Sequence, residues 1–379
     1  MSSLSLKSLL GQPAARAAMA PFLRWGDRPI TSDHYSIVLG VPWDLRHLTC
    51  VNLRFVSKTN LAGLDEIVIV FDRTYRPEMR TLAAEITAAF PDLPIRFLWY
   101  PRVAGTIVEK INVSTFYNSL NVTLAIGTLR SKFAITHDFD LYPVDQDYFH
   151  RIWRKLRSDR LDFSGLELTY FQGLTDADYV IGTWSLGLDV DRLRSQWKPL
   201  DCFHRVARVR GRRIKLDPFS WIQLRSPNRA LAGNIDSLAC HVKNLCSTYL
   251  RMINGGPIHV AWRLHYLWYL EALAGNEMQL EEANRLMSKA HEKIITLSGR
   301  SIDFSAVHPT CANVLQREVT AMERHLFGDV RPDVEQYLAK SRKFFESSPH
   351  AGEDPSCVLD PVPETQAVRH SPASASRLR

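Results

Sequence analysis

Asp138 and Asp140 are the residues of this sequence best placed to do chemistry. They close the run Lys132-Phe133-Ala134-Ile135-Thr136-His137, so a short apolar stretch ends in two carboxylates one residue apart. At the end of a strand, that pair suits a hard divalent cation, which prefers oxygen ligands and can keep positions open for phosphate oxygens. The spacing alone decides nothing, because the chain holds four Asp-x-Asp pairs. Asp145 and Asp147 stand where a helix should begin, as do Asp189 and Asp191 before Arg192-Leu193-Arg194, so capping and the helix dipole account for both. Asp176 and Asp178 fall in a polar loop. Asp138 and Asp140 alone terminate a hydrophobic strand pattern, where the rival account is a turn with solvated acids. His137 reads as a packed strand residue, because alternation turns its side chain away from its neighbours'.

The elements that must carry this pair alternate in type. Tyr35 to Pro42 reads as a strand with a proline stop, followed by a helix capped by Asp44 and running to about Lys58. Asp65 to Asp72 is a second strand, continuously apolar and so buried on both faces. A helix over about Pro77–Phe90, a strand over Ile95–Pro101 and a long helix over about Val113–Arg130 lead into the strand that ends at Asp138. Such alternation predicts an α/β fold, a mostly parallel sheet flanked by helices, with ligands beyond the carboxyl ends of its strands. Asp72 and Asp138 should then face one crevice.

Past Asp147 come a helix to about Arg157, strand-like runs over 161–171 and 179–188, and a helix over 189–197. A basic stretch follows, with Arg205, Arg208, Arg210, Arg212, Arg213, Lys215, Arg225 and Arg229 opposed mainly by Asp217. It reads mainly as a solvated face; a diphosphate cradle or a surface for an anionic acceptor or membrane are the sharper readings. From Asp236 the pattern turns all-helical, with Leu238, Val242, Leu245 and Tyr249 on one face of a first helix. Further helices are expected over 258–274, 281–297, 313–326 and 333–345. The helix with Trp262, Tyr266, Leu267, Trp268, Tyr269 and Leu270 is core by default, or an interfacial helix on lipid headgroups. The domain plan is a tail over 1–31, an α/β domain over 32–235, a helical domain over 236–346 and a disordered tail over 347–379.

The chain has 379 residues, 45% hydrophobic and 23% charged, an ordinary globular balance. No apolar run reaches membrane-spanning length. Six scattered cysteines show no zinc-type pairing and read as reduced thiols, which places the protein in the cytoplasm, with peripheral contact at a membrane as an addition. The Ala/Ser/Arg-rich start reads as a disordered or surface-lying tail before a transit peptide. A net charge of +7 favours anionic partners such as nucleotides, phospholipid headgroups or nucleic acid.

Over roughly Ser36–Pro218 the residues resemble the GT-A fold of nucleotide-sugar glycosyltransferases, closest to the family 2-like enzymes with a Rossmann-like half. Pro42 closes the first strand. Asp72 ends the second, where that family places an acid against the donor's nucleoside. Asn121, Gly127 and Arg130 precede the carboxylate strand in the family's manner. Asp201, ahead of Gly211-Arg212-Arg213-Ile214, resembles its Glu-Asp element, with Leu200 in place of the Glu.

The resemblance implies a hexosyltransferase-like enzyme of polysaccharide biosynthesis, moving a sugar from a UDP- or GDP-sugar donor to a hydroxyl of a carbohydrate or lipid-linked acceptor, with inversion. Asp138 and Asp140 would hold Mn2+ or Mg2+, Asp138 also serving the donor. Asp72 would meet the nucleoside. Arg130 would reach the diphosphate, or stand as a solvated helix end. Asp201 would be the general base, with Glu167, Asp176 and Asp178 as rivals. Two other functions are weighed. A sugar nucleotidyltransferase lacks support, because Gly40-Val41-Pro42-Trp43 supplies no glycine-rich phosphate loop. A non-catalytic scaffold on a degenerate transferase fold is the other; a nucleic-acid binder has no stacking or helix-turn-helix signature behind it.

Overall fold

The computed structural model describes residues 6–346, apart from 112–113, 172–173, 176–177, 227, 257, 259, 277 and 298. The expected tail over 347–379 and the rival acid Asp176 lie outside the described residues. The first half runs α1 (Leu6–Met19), β1 (Ser32–Val41), α2 (Thr49–Ser57), β2 (Leu64–Thr74), α3 (Pro77–Ala89), β3 (Ile95–Tyr100), α4 (Arg102–Ile111), α5 (Ser114–Thr128) and β4 (Ser131–His137). There follow β5 (Leu141–Pro143), α6 (Tyr148–Asp159), β6 (Phe163–Gly165), β7 (Leu168–Thr169), β8 (Val180–Ile181), β9 (Gly187–Asp189) and α7 (Val190–Gln196). Next are β10 (Arg205–Val209), β11 (Arg212–Leu216), α8 (Ser220–Gln223), β12 (Arg229–Leu231), α9 (Ile235–Leu238) and β13 (Ala239–His241). The last part holds α10 (Leu245–Ile253), α11 (Leu264–Leu273), α12 (Gln279–Lys289), β14 (Ile294–Leu297), β15 (Arg300–Asp303), α13 (Thr310–Phe327) and α14 (Pro332–Glu346).

The central seven-stranded sheet has the order β12-β6-β9-β4-β1-β2-β3. β4, β1, β2 and β3 pair in parallel, as do β6 and β12, and β9 alone runs against its neighbours. The Rossmann-like, mostly parallel sheet expected of the chain is therefore present. Alternation along the strands splits the core in two. Ile37, Leu39, Ile67, Ile69, Phe133 and Ile135 face one cluster, with α2, α6 and the C-terminal helices. Val38, Val68, Val70 and Ala134 face the other, with α4 and α5. The chain moves outward from β1 to β2 and β3, then crosses back to place β4 on the other side of β1. The order reverses there, and the crevice at such a reversal is where open α/β sheets bind ligands. Gly40, the penultimate residue of β1, lets α5 press close, since a Cβ there would stand 2.6 Å from Asn121 Nδ2.

Several elements differ from expectation. The N-terminal segment is docked: Met19 and Leu23 are buried, and Arg16 Nη1 donates to His204 O at 2.9 Å. The single helix expected from Asp236 is broken. Residues 239–241 instead pair antiparallel with β5, and Asn244 takes a left-handed φ of 67° before α10 starts. An unpaired backbone edge at β5 outcompeted helical periodicity, because buried backbone groups must be paired. Likewise the helix expected over 281–297 stops at Lys289, and β-branched Ile294-Ile295-Thr296 forms a hairpin strand. The C-terminal region is thus mainly helical with a hairpin set into it. It shares one core cluster with α2 and β5, which joins it directly to the sheet domain.

The aromatic helix α11 is core. Tyr266, Leu267, Trp268, Tyr269 and Leu270 are all buried, so no aromatic face is left for a lipid surface. No helix of the described residues is long and apolar enough to cross a membrane.

Candidate metal and donor site

β4 delivers Asp138 to the rim of the sheet at the point where strand order reverses. The turn Asp138-Phe139-Asp140 is tied down from three sides. Asp138 N–H donates to Trp184 O at 3.0 Å, and Val242 N–H donates to Asp140 O at 2.9 Å. From α2, Asn52 Nδ2 donates to the carbonyls of Phe139 and Leu141, each at 3.1 Å. The β5–β13 ladder sets His241 opposite Leu141 and so beside Asp140.

The result is a cluster of three ligating groups. The nearest carboxylate oxygens of Asp138 and Asp140 and a ring nitrogen of His241 all lie within 4.8 Å of one another. His241 Nε2 stands 3.6 Å from Asp140 Oδ1. Burial, and then the neighbouring Asp140 carboxylate, push Asp138 up to about 7, with Asp217 adding to the rise while His241 and an Asn118 hydrogen bond oppose it. Two acids crowded into a half-buried place, one of them resisting ionisation, are the electrostatic mark of a cation site. The two carboxylates fit Mn2+ or Mg2+ by ligand hardness, and the imidazole adds a borderline nitrogen donor, which Mn2+ accepts more readily than Mg2+. The fit is chemical as well as geometric, because an ion bound there would relieve the repulsion between the acids.

His137 behaves as alternation requires. Its Nε2 meets Asn52 Oδ1 at 3.2 Å on the opposite face, and burial holds it down to about 3. Asp72 lies within β2, two residues before its end. Its Oδ1 accepts Trp43 N–H at 2.8 Å and the Arg73 guanidinium at 3.1 Å, which ties the chain leaving β1 to β2. Burial pushes it up to about 6. Burial drives the Cys246 thiol up, and the charges of Asp140, Asp138 and Asp72 each add to the rise, so all three are felt at that one group.

Arg130 must be reassigned. It precedes β4, and its carbonyl accepts Thr31 N–H at 2.9 Å. The seven residues of β4, at about 3.3 Å each, hold it more than about 20 Å from Asp138, at the opposite rim of the sheet. An arginine there cannot touch a diphosphate at the carboxylates. Asp201 is occupied structurally: its Oδ2 accepts Lys198 N–H at 3.0 Å, and Arg205 Nη2 lies 3.7 Å from Oδ1. The further acid whose charge reaches Asp138 is Asp217, directly after β11. Of the rivals, Asp178 is held by Thr175 Oγ1 at 2.7 Å and Arg210 Nε at 2.9 Å. Glu167 pairs with Lys243 Nζ at 2.9 Å.

The basic stretch divides. Arg229 is spent on the carbonyls of Gln223 and Ser226, and Arg225 stacks on Trp221. Arg208, Arg212 and Arg213 point into solvent from the β10–β11 hairpin, as a solvated face should. The residue that sequence reasoning missed is His241. A lone histidine after Ala239-Cys240 carries no signal of its own, and its partnership with Asp140 exists only through the β5–β13 ladder. A surface groove of about 470 Å3 along α13 is lined by Asn313, Gln316, Arg317, Thr320, Ala321 and Arg324, with no histidine, cysteine or carboxylate among them.

No protein-family model matches the sequence, and no curated protein matches it. Solved structures similar to the chain include the mannosyltransferase PcManGT from Pyrobaculum calidifontis in complex with GDP-Man and Mn2+. It is 10% identical with a TM-score of 0.39, over 92% of this chain and 85% of that one. S. aureus TarS 1-349 is 12% identical with a TM-score of 0.35, over 83% of this chain and 90% of that one. Galactosyltransferase LgtC in complex with donor and acceptor sugar analogs is 10% identical with a TM-score of 0.36, over 52% of this chain and 72% of that one.

Proposed function

We propose that the chain is a metal-dependent glycosyltransferase that moves a sugar from a nucleoside-diphosphate donor to a hydroxyl of a carbohydrate or lipid-linked acceptor. One observation carries the reading: Asp138, Asp140 and His241 converge at the strand-order reversal of a parallel sheet, where phosphate-bearing ligands bind. In the transfer, the bond between the anomeric carbon and the β-phosphate oxygen breaks, and its electron pair leaves with the nucleoside diphosphate. The acceptor oxygen bonds to that carbon, and its proton passes to a carboxylate.

Asp138, Asp140 and His241 would hold a divalent cation, Mn2+ or Mg2+, whose charge stabilises the departing diphosphate. Asp72, through the oxygen not engaged by Trp43, would accept a hydrogen bond from the donor's nucleoside. Asp201 or Asp217 would take the acceptor's proton, Asp217 being the one whose charge is felt at Asp138. A base on the acceptor side suits inversion.

The test is a thermal-shift screen of UDP and GDP with and without Mn2+, followed by donor hydrolysis in wild type and Asp138→Asn. A metal-dependent rise in melting temperature and its loss in the variant are expected. Equal, metal-independent hydrolysis in both proteins would defeat the reading.

A further inference from the structure

The site has a second wall that the donor reading leaves unused. Trp184 lies in the short turn Thr183–Ser185, and its carbonyl is the group that holds the Asp138 N–H. Its indole packs against Gly182, where a Cβ would stand 2.3 Å from the ring. The His241 ring sits 5.3 Å away, tilted by 33°. Lys243 Nζ lies 5.6 Å from the indole centre and 2.9 Å from Glu167 Oε1. The wall is reachable, since the side chains of Lys243 and Glu167 are 39% and 26% exposed.

Three polar atoms of this wall are buried without a partner among the described residues: Trp184 Nε1, Glu167 Oε2 and His241 Nδ1. Leaving such atoms unpaired is costly, and three in one small neighbourhood call for a ligand or ordered water to complete them. The chemistry of the wall narrows the ligand. A half-buried indole offers apolar ring surface, its N–H turned inward. Beside it stand a carboxylate, which only accepts, and an ammonium, which only donates. The paired charges cancel, so the wall offers a phosphate no net attraction. A neutral ring with a C–H face and a rim of hydroxyls, each both donor and acceptor, matches the indole and the exposed Lys243–Glu167 pair.

We propose that Trp184, Glu167 and Lys243 form the subsite that seats the sugar ring of the acceptor against the metal cluster. Resting on the glycosyltransferase reading, this assigns the acceptor's chemical class: a neutral carbohydrate ring rather than an anionic headgroup. The loop carrying Trp184 also fixes the backbone of Asp138, so acceptor and metal register through one turn.

The test uses the full chain with Mn2+, UDP-glucose and GDP-mannose as donors, and the methyl glycosides of glucose, galactose and mannose as acceptor probes. Wild type should transfer to at least one glycoside. Trp184→Ala should raise the KM for that glycoside tenfold or more while the donor KM moves less than threefold, and Trp184→Phe should recover part of the loss. Glycoside-dependent quenching of tryptophan emission, present in wild type and absent in Trp184→Phe, reads the subsite without turnover. An unchanged acceptor KM in Trp184→Ala overturns the subsite. Donor hydrolysis without transfer to any glycoside overturns the carbohydrate assignment, and no metal-dependent hydrolysis or nucleotide binding defeats the underlying reading instead.

Discussion

His241 Nε2 lies 3.6 Å from Asp140 Oδ1, although Asp140 follows β4 and His241 sits on a strand at the start of the C-terminal region. The contact exists because β13 pairs with β5, so docking of the C-terminal region completes the ligand set. His241→Ala should therefore weaken Mn2+ binding by about tenfold or more, the range seen when a metal centre loses a supporting group. Titration of Mn2+ followed by electron paramagnetic resonance measures it. Affinity equal to wild type would remove His241 from the site.

Arg130→Ala makes the opposite forecast. Its position at the amino rim of the sheet places it away from any donor bound at the carboxylates. The dissociation constant for UDP or GDP with Mn2+ should stay within about twofold of wild type, since exposed substitutions are usually near neutral. A large loss measured by calorimetry would return Arg130 to the donor site.

Glu323 is fully buried, with Arg331 Nε and Nη2 each 2.9 Å from its oxygens and Tyr269 Oη donating at 2.9 Å. This bidentate pair closes the turn between α13 and α14. Arg331→Ala strands a buried carboxylate and should lower stability by about 3–5 kcal/mol in urea unfolding. Adding Glu323→Gln should recover part of the loss, because an amide costs less to bury. No recovery would mean that packing, rather than charge, dominates.

His265 sits among Trp268, Phe304, Tyr337 and Phe345, and burial holds it down to about 3. Its folded value lies below that of the unfolded chain, about 6.5. The unfolded chain thus binds the proton first, so this contribution is fully present above pH 6.5 and is lost as pH falls from there toward 3. The slope approaches about 1.4 kcal/mol per pH unit. Melting temperature against pH should fall less steeply below pH 6.5 in His265→Gln than in wild type. Parallel curves would assign the acid sensitivity elsewhere.

Much of the sheet domain was legible, because its signals are local. A continuous apolar run such as Ile67–Phe71 must be buried on both faces, and Asp138 had to follow the strand pattern that ends at His137. Arg130 misled because a helix end shows a cation but not which rim of the sheet it faces. The aromatic run 266–270 was ambiguous for a related reason, since composition alone does not separate a buried helix from an interfacial one. The helix expected from Asp236 failed because an unpaired edge at β5 offered backbone partners that periodicity does not encode.

By itself, then, the sequence determined the alternation of strands and helices and the pair of acids at a strand's end, since both follow from neighbours a few residues apart. Tertiary structure alone decided that His241 joins those acids, that the charge of Asp217 is felt at Asp138, and that the Trp184 ring packs beside His241. These are meetings between distant segments, set by ladder register and core packing, and a one-dimensional pattern does not record which backbone edge a strand will find.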